Sequence, residues 1–482
     1  MKKTVVLNVV GLTPGLIGDD TPFLAEWIGD GAQAAVEPVL PAVTCSVQAS
    51  YLTGAMPHEH GIVANGWYFR DTSEIRFWMR SGRLMQGPKL WDVARAEDPT
   101  FTCANLFWRY AAYSGADYQV VERPMYPADG RKLPDIYAQP SDLRDYLQGE
   151  LGPFPLFNFW GPTASITSSR WIADAAQLTD KRHDPTLTLI YLPHLDYSLQ
   201  RLGPDDPDVA SDLRAIDAVC RDLVSFYEER GAQVILLSEY GITPVDRPVA
   251  LNRVLRRKGH LAIREELGRE LLDPGACDAF AVADHQLAHI YVQDDQKLEA
   301  VRELIAATPG VERVLDAETK PEVGLDHPRS GDLIAIAEPD AWFTYYYWLD
   351  DDRAPDFAPT VEIHRKPGYD PAELFMDPDL TAPKLRAAGR LLQKKLGFRY
   401  LMDVIPTHAE MVGGSHGRLP DDPADGPLIA TRQADRLPAA SVHATEVHDI
   451  ILAHLRSEAL GTSRGVGDMR AQPEGRRSSP WD

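Results

Sequence analysis

The sequence predicts an α/β fold: a central, mostly parallel sheet with helices on both faces and an inserted cap region. Apolar strand patterns alternate with helical patterns, as expected when parallel strands are joined by crossover helices. The composition is that of a globular protein, with 44% hydrophobic and 25% charged residues. The 482 residues exceed the usual domain length of about 150 residues, which leaves room for an insertion.

Continuous apolar runs mark the strands. A run without polar alternation is typical of a strand that is buried on both faces of a parallel sheet. Four runs predict such strands, namely Val5–Val10, Phe101–Leu106, Leu187–Leu192 and Val234–Leu237. Proline residues bound the third run on both sides, which favours a short central strand.

Helices are predicted between and after these strands. The stretch Thr21–Gly29 has Pro22 in its first turn, a position that suits proline. The stretch Asp208–Arg230 places its apolar residues on one helical face, and Gly231 follows where a helix commonly ends. In the second half of the chain, helices are predicted at Gln296–Ala307 and Ser441–Leu455.

The predicted organisation has four parts. Residues 1–259 form the first part of the core, and residues 260–385 form an inserted cap or α+β region rich in Asp, Pro and aromatic residues. Residues 386–458 return to the core and end in a helix. Residues 459–482 are rich in Gly, Arg, Ser and Pro and lack the apolar content to pack, so this tail is predicted to be disordered.

The net charge of the chain limits the kinds of molecule that it is expected to bind. Lys and Arg total 49 against 71 for Asp and Glu, so the formal net charge is −22. A protein this acidic repels phosphate backbones and anionic lipid, and we therefore expect no nucleic-acid partner and no membrane binding. A small anionic substrate remains compatible with this charge, because a local cation can override the global field.

The cysteines and the amino-terminal segment predict a cytoplasmic protein. The four cysteines are scattered without a CxxC pair, which argues against a zinc ribbon or a disulfide framework and fits a reducing compartment. No apolar run reaches the ~18 residues that a membrane span needs. The apolar segment after Lys2 and Lys3 is short and interrupted by Asn8, so we interpret it as a buried strand and not as a signal peptide.

Acidic residues follow two of the predicted strands. Ligand sites in open α/β sheets lie beyond the carboxyl ends of the strands. The strand Leu187–Leu192 runs into His194 and Asp196, and the strand Val234–Leu237 runs into Glu239. Two carboxylates at one sheet edge, with an imidazole beside them, indicate a metal site or an acid–base pair; helix caps or solvated loop acids are the ordinary alternative.

A hydroxyl group is predicted at a helix start. The segment Pro41–Gly54 has the pattern of a loop that leads into a helix beginning just after Thr44. Unpaired N–H groups and the positive end of the helix would stabilise an alkoxide there and bind a phosphoryl group. The commoner role of Thr or Ser at this place is helix capping. Cys45 is an alternative nucleophile, since a helix start favours a thiolate.

Together these residues make the sequence similar to the type I phosphodiesterase/nucleotide pyrophosphatase family of the alkaline phosphatase superfamily. The resemblance rests on five segments in the family's order: the Thr44 segment, His58–Asn65 (HGIxxN), Leu195–Pro204 (PDxxGHxxGP), Ser238–Gly241 (SDHG) and Gly414–Gly417 (GxHG). It implies an alkaline phosphatase-like fold and a hydrolase of a small organic phosphate ester, such as a phosphodiester, pyrophosphate or phosphomonoester. It further implies Thr44 as nucleophile, a covalent phospho-enzyme, and Asn65 as a holder of the phosphoryl oxygens.

The resemblance also implies divalent metal, but with a reduced ligand set. Three segments depart from the family's ligands. Val10 replaces the Asp after the first strand, Gln200 replaces the His of PDxxGH, and Glu239-Tyr240 replaces the Asp-His pair of SDHG. Metal-ligand positions that keep a competent residue are Asp196, Glu239 and His416. Since zinc generally takes three or four protein donors, these three imply one Zn, Mn or Mg ion instead of two. Candidates for an additional role are His194, Tyr240, Gln200, His364, Lys366 and His285.

Two alternatives to a single-metal enzyme remain open at this point. In one, a cation of the protein replaces the metal, with Arg365, Lys366 and Arg201 as candidates. In the other, the site binds a small phosphorylated metabolite without turning it over. Two acids close together without any cation would repel each other, which favours a cation of some kind. A phosphonate hydrolase or a phosphotransferase is a further variant of the same chemistry.

Overall fold

The computed structural model describes residues 1–456, so the predicted tail at 459–482 lies outside the described residues. Its largest element is a sheet of nine strands. From one edge to the other, the strands are Ser441–His443, Ala32–Glu37, Leu428–Thr431, Gln233–Leu237, Thr4–Val9, Leu187–Leu192, Cys103–Leu106, Tyr118–Glu122 and Ile136–Gln139.

The centre of this sheet is parallel. The first strand, Thr4–Val9, lies between Gln233–Leu237 and Leu187–Leu192 and runs parallel to both. Parallel pairing continues outward through Cys103–Leu106 to Tyr118–Glu122. Within this nine-stranded sheet, the antiparallel pairs of described strands lie towards the two edges. The prediction of a mostly parallel sheet is therefore confirmed.

Burial explains why the central strands lack polar alternation. Every residue of Thr4–Val9 and of Leu187–Leu192 is buried, which requires cover on both faces of the sheet. Among the helices, Ile166–His183 packs against Leu187–Leu192, and Val209–Glu229 packs against Ile166–His183. The described α-helices are Pro22–Gly29, Thr44–Thr53, Pro57–His60, Leu90–Glu97, Ser141–Leu151, Leu156–Phe159, Ile166–His183, His194–Leu202, Val209–Glu229, Leu251–Arg257, Leu298–Ala306, Pro383–Lys395 and Val447–Leu455.

A second sheet occupies the segment predicted as an insertion. Its four antiparallel strands, in spatial order, are Ala279–Asp284, Leu287–Val292, Leu333–Ala337 and Val311–Leu315. It has its own hydrophobic cluster, which includes the aromatic residues from Trp342 to Trp348. The remaining strands form two-stranded pairs: Gly66–Phe69 with Glu74–Phe77, Thr243–Pro244 with Gly414–Ser415, Arg247–Val249 with Ala341–Phe343, and Ile263–Glu266 with Arg269–Leu272.

One predicted helix begins later than expected. The stretch Ser441–Leu455 was expected to be a single helix, but Ser441–His443 pairs in parallel with Ala32–Glu37 as an edge strand. The α-helix starts at Val447, after a short 3-10 turn. Pairing with the sheet edge overrides the local helical pattern of these residues. No described helix combines the length and the apolar character that crossing a bilayer would require.

Candidate functional site

The two strands that flank the first strand bring the predicted acids to one edge of the sheet. Asp196 lies in the first turn of the helix His194–Leu202, directly after the strand Leu187–Leu192. Glu239 and Tyr240 follow the strand Gln233–Leu237 on the other side of the first strand. The Tyr240 hydroxyl donates a hydrogen bond to Asp196 Oδ1 at 3.1 Å. The carboxyl ends of separate strands therefore meet at one point, as the sheet topology requires.

Thr44 is the first residue of the helix Thr44–Thr53, and its hydroxyl does not cap that helix. The N-cap position is Val43, and no side chain caps the helix, so the capping alternative is wrong. Thr44 Oγ1 lies 3.0 Å from Tyr240 Oη. Because Tyr240 gives its own hydrogen to Asp196, Thr44 is the donor in this contact. A hydroxyl at the positive end of a helix is thus linked through a phenol to a carboxylate.

Neutral donors occupy both oxygens of Asp196. Gln200 Nε2 donates to Asp196 Oδ2 at 2.9 Å, opposite the bond from Tyr240. Tyr369 in turn donates to Gln200 Oε1 at 2.9 Å. Burial raises the pKa of Asp196 to about 6, and the hydrogen bonds from Gln200 and Tyr240 oppose that shift. Asp196 therefore exchanges its proton near neutral pH.

A stack of four rings closes this network from the other side. Adjacent ring centroids are 3.6, 3.7 and 3.6 Å apart in the order Tyr240, His416, His285 and Tyr369. Burial holds the pKa of both histidines well below the usual value, so both rings are neutral. His416 Nδ1 donates to the Ala42 carbonyl, and His285 Nδ1 donates to Asp284, each at 2.8 Å. Each Nε2 is buried and has no hydrogen-bond partner among the described residues.

Asn65 lies at the start of the Thr44 helix. The Cys45 N–H donates to Asn65 Oδ1 at 3.0 Å, and Asn65 Nδ2 donates to Asp284 Oδ1 at 3.1 Å. Asn65 thus joins the helix start to the second sheet while one of its amide hydrogens remains available. The Cys45 side chain is fully buried, and burial raises its pKa to about 12. It is therefore a thiol, and the thiolate alternative has no support.

Glu239 is held on one side by two amides. Its Oε1 accepts hydrogen bonds from Asn8 Nδ2 and Gln48 Nε2, whereas its Oε2 is buried without a hydrogen-bond partner in the described structure. Burial raises the pKa of Glu239 to about 7, against the effect of the hydrogen bonds from Gln48 and Asn8. Both acids at this edge therefore carry reduced negative charge near neutral pH.

The residues as placed do not fit a pair of metal ions. The Tyr240 hydroxyl bonds both Thr44 and Asp196, so it fills the interval between these two potential ligands. Asp196 Oδ1 and His416 Nε2 lie 3.8 Å apart, close enough for both to contact one ion, whereas Glu239 turns its Oε1 towards amides. Within residues 1–456, the set of three His, Cys, Asp or Glu side chains with donor atoms close enough to hold an ion is Asp377, Asp379 and His408, outside this site. Metal held by Asp196, Glu239 and His416 stays a prediction.

Several other candidate residues have partners of their own. His194 Nε2 lies 3.1 Å from Asp212 Oδ1 on the neighbouring helix. The buried Lys366 ammonium lies 2.7 Å from Asp370 and 2.8 Å from Glu373, so its charge is neutralised inside the protein. Neither His194 nor Lys366 is among the residues that line the cavity with Thr44.

The remaining candidates differ in their access to the site. His364 Nε2 lies 3.0 Å from Arg80 and faces the cavity next to Thr44. Arg365 lines the same cavity but pairs with Asp356 at 3.2 Å. Arg201 lines a separate surface depression. Of the three predicted cations, only Arg365 reaches the cavity.

The cavity that contains Thr44, Asp196 and Tyr240 has a volume of about 550 Å³, within the range of small-molecule sites. Much of its wall is aromatic, with Trp78, Phe159, Trp160, Tyr191 and Tyr197. Sequence reasoning missed Arg109, which lines it as well. The strand-end rule could have found Arg109, because it follows the parallel strand Cys103–Leu106 just as Asp196 follows its own strand.

Comparison with known proteins gives one family and several related folds. The model of the type I phosphodiesterase/nucleotide pyrophosphatase family matches residues 4–370. An uncharacterized pyrophosphatase/phosphodiesterase of Schizosaccharomyces pombe is 24% identical over 211 residues. That match spans 43% of this chain and 37% of the relative, so the chain matches well under half the length of that curated protein.

Solved structures show the same fold across nearly the whole chain. Murine ectonucleotide pyrophosphatase/phosphodiesterase 5, as an inactive variant in complex with AMP, superposes with a TM-score of 0.58 at 14% identity. The alignment covers 96% of this chain and 97% of that one. Phosphonoacetate hydrolase from Sinorhizobium meliloti, in complex with phosphonoformate, gives a TM-score of 0.60 at 14% identity and covers 94% and 96%. The alkaline phosphatase-like fold expected from the sequence is confirmed.

Proposed function

This chain belongs to the type I phosphodiesterase/nucleotide pyrophosphatase family, and we propose that it hydrolyses a small organic phosphate ester with Thr44 as the nucleophile. One observation supports this more than any other. The Thr44 hydroxyl stands at the start of a helix, is not used as a cap, and is hydrogen-bonded at 3.0 Å to Tyr240 within the cavity. A structural threonine at a helix start would spend its hydroxyl on the helix.

The proposed first step transfers a phosphoryl group to Thr44. Thr44 Oγ1 forms a bond to phosphorus while the bond to the leaving oxygen breaks. The Thr44 proton passes to Tyr240 as Tyr240 passes its own proton to Asp196, along contacts of 3.0 and 3.1 Å. With a pKa of about 6, Asp196 can accept a proton at neutral pH. The leaving oxygen takes up the proton of Asp196 through solvent and departs as the alcohol or phosphate, which restores the carboxylate. In the second step, water attacks phosphorus, gives one proton to Asp196 and displaces Thr44 Oγ1. That proton returns through Tyr240 to Thr44 Oγ1, and phosphate or its monoester is released.

The groups that would steady the phosphoryl oxygens include Asn65 and the positive end of the Thr44 helix. Asn65 uses one amide hydrogen on Asp284, which fixes its orientation and leaves the second for a ligand. Donors that are fixed before the substrate arrives stabilise charge in the transition state without reorganising. No step of the proposal passes through a metal ion.

The partner that we propose is a small phosphorylated metabolite. The related structures hold AMP and phosphonoformate, which are ligands of that size and charge. Phosphodiesters, pyrophosphates, phosphomonoesters and phosphonates therefore all belong in a substrate screen. All four cysteines are free and buried, which supports our proposal that the protein works in the reducing cytoplasm.

A second candidate function is binding without turnover. The observation that favours it is the closed hydrogen-bond network, in which both oxygens of Asp196 have neutral donors and no metal is needed to hold the acids apart. In that case Thr44 would contact the phosphate without attacking it. Hydrolysis by the purified protein separates the two functions directly.

The test compares Thr44→Ala with Thr53→Ala in a screen of phosphate mono- and diesters. Thr53 is the matched control, since it ends the same helix and bonds only the Ala49 carbonyl among its described hydrogen bonds. We expect Thr44→Ala to lose about 10³-fold or more in kcat, as the loss of a nucleophile does, and Thr53→Ala to keep wild-type activity. Equal hydrolysis by Thr44→Ala and wild type would overturn the nucleophile, and no hydrolysis by wild type would favour the binder.

Elemental analysis of the purified protein tests the predicted metal separately. A stoichiometric divalent ion that is lost in Asp196→Ala and His416→Ala would establish the metal predicted from the resemblance. Protein that hydrolyses esters without bound metal after EDTA treatment would instead agree with the observed geometry.

A further inference from the structure

Arg109 is a cation in the wall of the cavity where the proposed chemistry takes place. Its side chain is 11% exposed and lines the cavity that also contains Thr44. This residue is therefore placed to act on any anion that reaches Thr44.

Rigid contacts fix the position of Arg109. The guanidinium carbon lies over three aromatic rings, 4.9 Å from the Trp78 centroid, 5.5 Å from Tyr191 and 5.9 Å from Phe159. The main-chain N–H of Arg109 donates to Gln48 Oε1 at 2.6 Å, and Gln48 belongs to the Thr44 helix. The loop that carries the cation and the helix that carries the hydroxyl are thus joined by one side chain.

The positive charge beside Thr44 is incompletely neutralised. Glu122 Oε1 accepts a hydrogen bond from Arg109 Nη1 at 3.0 Å and also lies 3.8 Å from Arg80 Nε. Two guanidiniums therefore share one carboxylate. The Nε atoms of both arginines are buried and have no hydrogen-bond partner among the described residues. Around the whole cavity, four Lys and Arg side chains face three acids, in a protein whose net charge is −22.

We propose that Arg109 binds the phosphoryl group that Thr44 attacks, as the cation of a site whose residues do not fit a metal pair. The assignment rests on the proposed function. A guanidinium matches phosphate because its planar donors can reach two oxygens at once. The unpaired Nε and the shared Glu122 leave Arg109 with both donors and charge to offer.

The experiment measures orthophosphate binding by calorimetry in EDTA-treated protein, so that added metal cannot contribute. The variants are Arg109→Lys, which keeps a cation beside Glu122, and Arg109→Met. The matched control is Arg256→Lys, because Arg256 is 16% exposed and pairs with the buried Glu270, much as Arg109 pairs with Glu122, but outside the cavity. Thermal unfolding shows that each variant is folded.

We expect wild type and Thr44→Ala to bind orthophosphate, Arg109→Lys to bind at least ~10-fold more weakly, and Arg256→Lys to bind within about 2-fold of wild type. For a hydrolysed ester, kcat/KM should fall at least as much in Arg109→Lys. In a third variant, Arg109→Ala, added guanidinium ion should restore part of the binding, which a structural defect would not allow.

The assignment is overturned if Arg109→Lys and Arg109→Met bind orthophosphate like wild type, if wild type does not bind it, or if binding appears only after Mn²⁺ or Zn²⁺ is added. The proposed hydrolase and this assignment can fail separately. Phosphate binding that depends on Arg109, without hydrolysis of any ester, would reject the hydrolase alone. Hydrolysis with unchanged kcat/KM in Arg109→Lys would reject the assignment alone.

Discussion

The two sides of the cavity differ in how their charged side chains are neutralised. On the side of Thr44, the buried acids Asp196 and Glu239 are surrounded by amides and phenols. On the other side, Arg80 and Arg109 share the single carboxylate of Glu122. Neutral hydrogen bonds hold the first side together, whereas incompletely balanced charges meet on the second.

This difference explains how a protein with a large negative net charge can bind a phosphate. Burial raises the pKa of Asp196 to about 6 and of Glu239 to about 7, although the charge of Arg109 lowers both, so these acids carry less than their full charge near neutral pH. The guanidinium of Arg109 keeps its charge, because its pKa is raised further by Glu122. A phosphoryl group between the two sides meets a proton acceptor on one side and a cation on the other.

The largest effect in this comparison is expected when Asp196, on the side of the acids, is replaced. Asp196→Asn keeps the shape of the side chain but cannot accept the proton that Tyr240 passes on, so kcat should fall about 10²–10⁴-fold. Asp212→Asn is the control, since Asp212 pairs with His194 outside the cavity and should change kcat by less than about 2-fold. Initial rates with a hydrolysed ester measure both. An Asp196→Asn enzyme at wild-type speed would remove Asp196 from the mechanism.

A smaller effect is expected from Tyr240. Tyr240→Phe removes the hydroxyl between Thr44 and Asp196 but preserves the stacking on His416. The proton must then travel by water or directly to Glu239, and we expect kcat to fall about 10–10²-fold. Rates of the two variants and of the double variant Tyr240→Phe/Asp196→Asn should show that their effects do not add, because the residues act in one chain. Additive losses would contradict a relay.

The aromatic side chains of the cavity wall should determine which organic group of the ester the protein prefers. The rings of Trp78, Phe159 and Trp160 line the cavity beside Arg109. We expect esters of aromatic or other bulky apolar alcohols to have kcat/KM about 10-fold above esters of glycerol, because they bury apolar surface there. Trp160→Ala should reduce that preference. A preference for glycerol esters would show that the wall does not contact the organic group.

The pH profile should follow the acid of the relay. The pKa of Asp196 is raised from 3.8 to about 6, and only the ionised carboxylate accepts the Thr44 proton. The rate constant kcat should therefore increase about 10-fold per pH unit below about pH 6 and level off above it. In Asp196→Asn this limb should vanish. A rate that increases as the pH is lowered from about 7 to 5 would exclude this carboxylate as the base.

The smallest predicted effect concerns stability. Because the folded-state pKa of Asp196 is raised, the folded protein bears a penalty that is absent below about pH 4 and complete above about pH 6. A shift from 3.8 to about 6 corresponds to about 3 kcal/mol, part of which is offset in Asp196→Asn by poorer hydrogen bonding with Gln200. The free energy of unfolding of Asp196→Asn should exceed that of wild type by about 1–2 kcal/mol near pH 8. Denaturant unfolding near pH 8 and pH 4 checks this, and an advantage that is larger at the lower pH would contradict it.

Much of the fold was predictable because the central strands are buried on both faces. The run Leu187–Leu192 is confirmed residue for residue, since proline on either side leaves no other boundary. The helix predicted at Asp208–Arg230 is confirmed as Val209–Glu229. The segment Ser441–His443 was not predictable as a strand, because the edge of the sheet that it joins is built by residues four hundred positions away in the chain.

The site was predictable where function follows strand order. Asp196 and Glu239 follow strands on either side of the first strand, so their meeting depends only on topology. The stack of His285 on His416 was not predictable, because it needs the second sheet to dock on the core. Arg109 could have been found by the same strand-end rule, but the aromatic rings around it could not, because they come from several distant segments.

The most direct test of the account is to look for the phospho-enzyme. The protein is incubated with a hydrolysed ester, quenched in acid, digested and sequenced by mass spectrometry. We predict one phosphoryl group on Thr44 in wild type and a more slowly formed one in Asp196→Asn, because the loss of the base slows the attack of Thr44. A phosphoryl group on Cys45 or elsewhere, or turnover with no covalent intermediate in either protein, would contradict a threonine nucleophile.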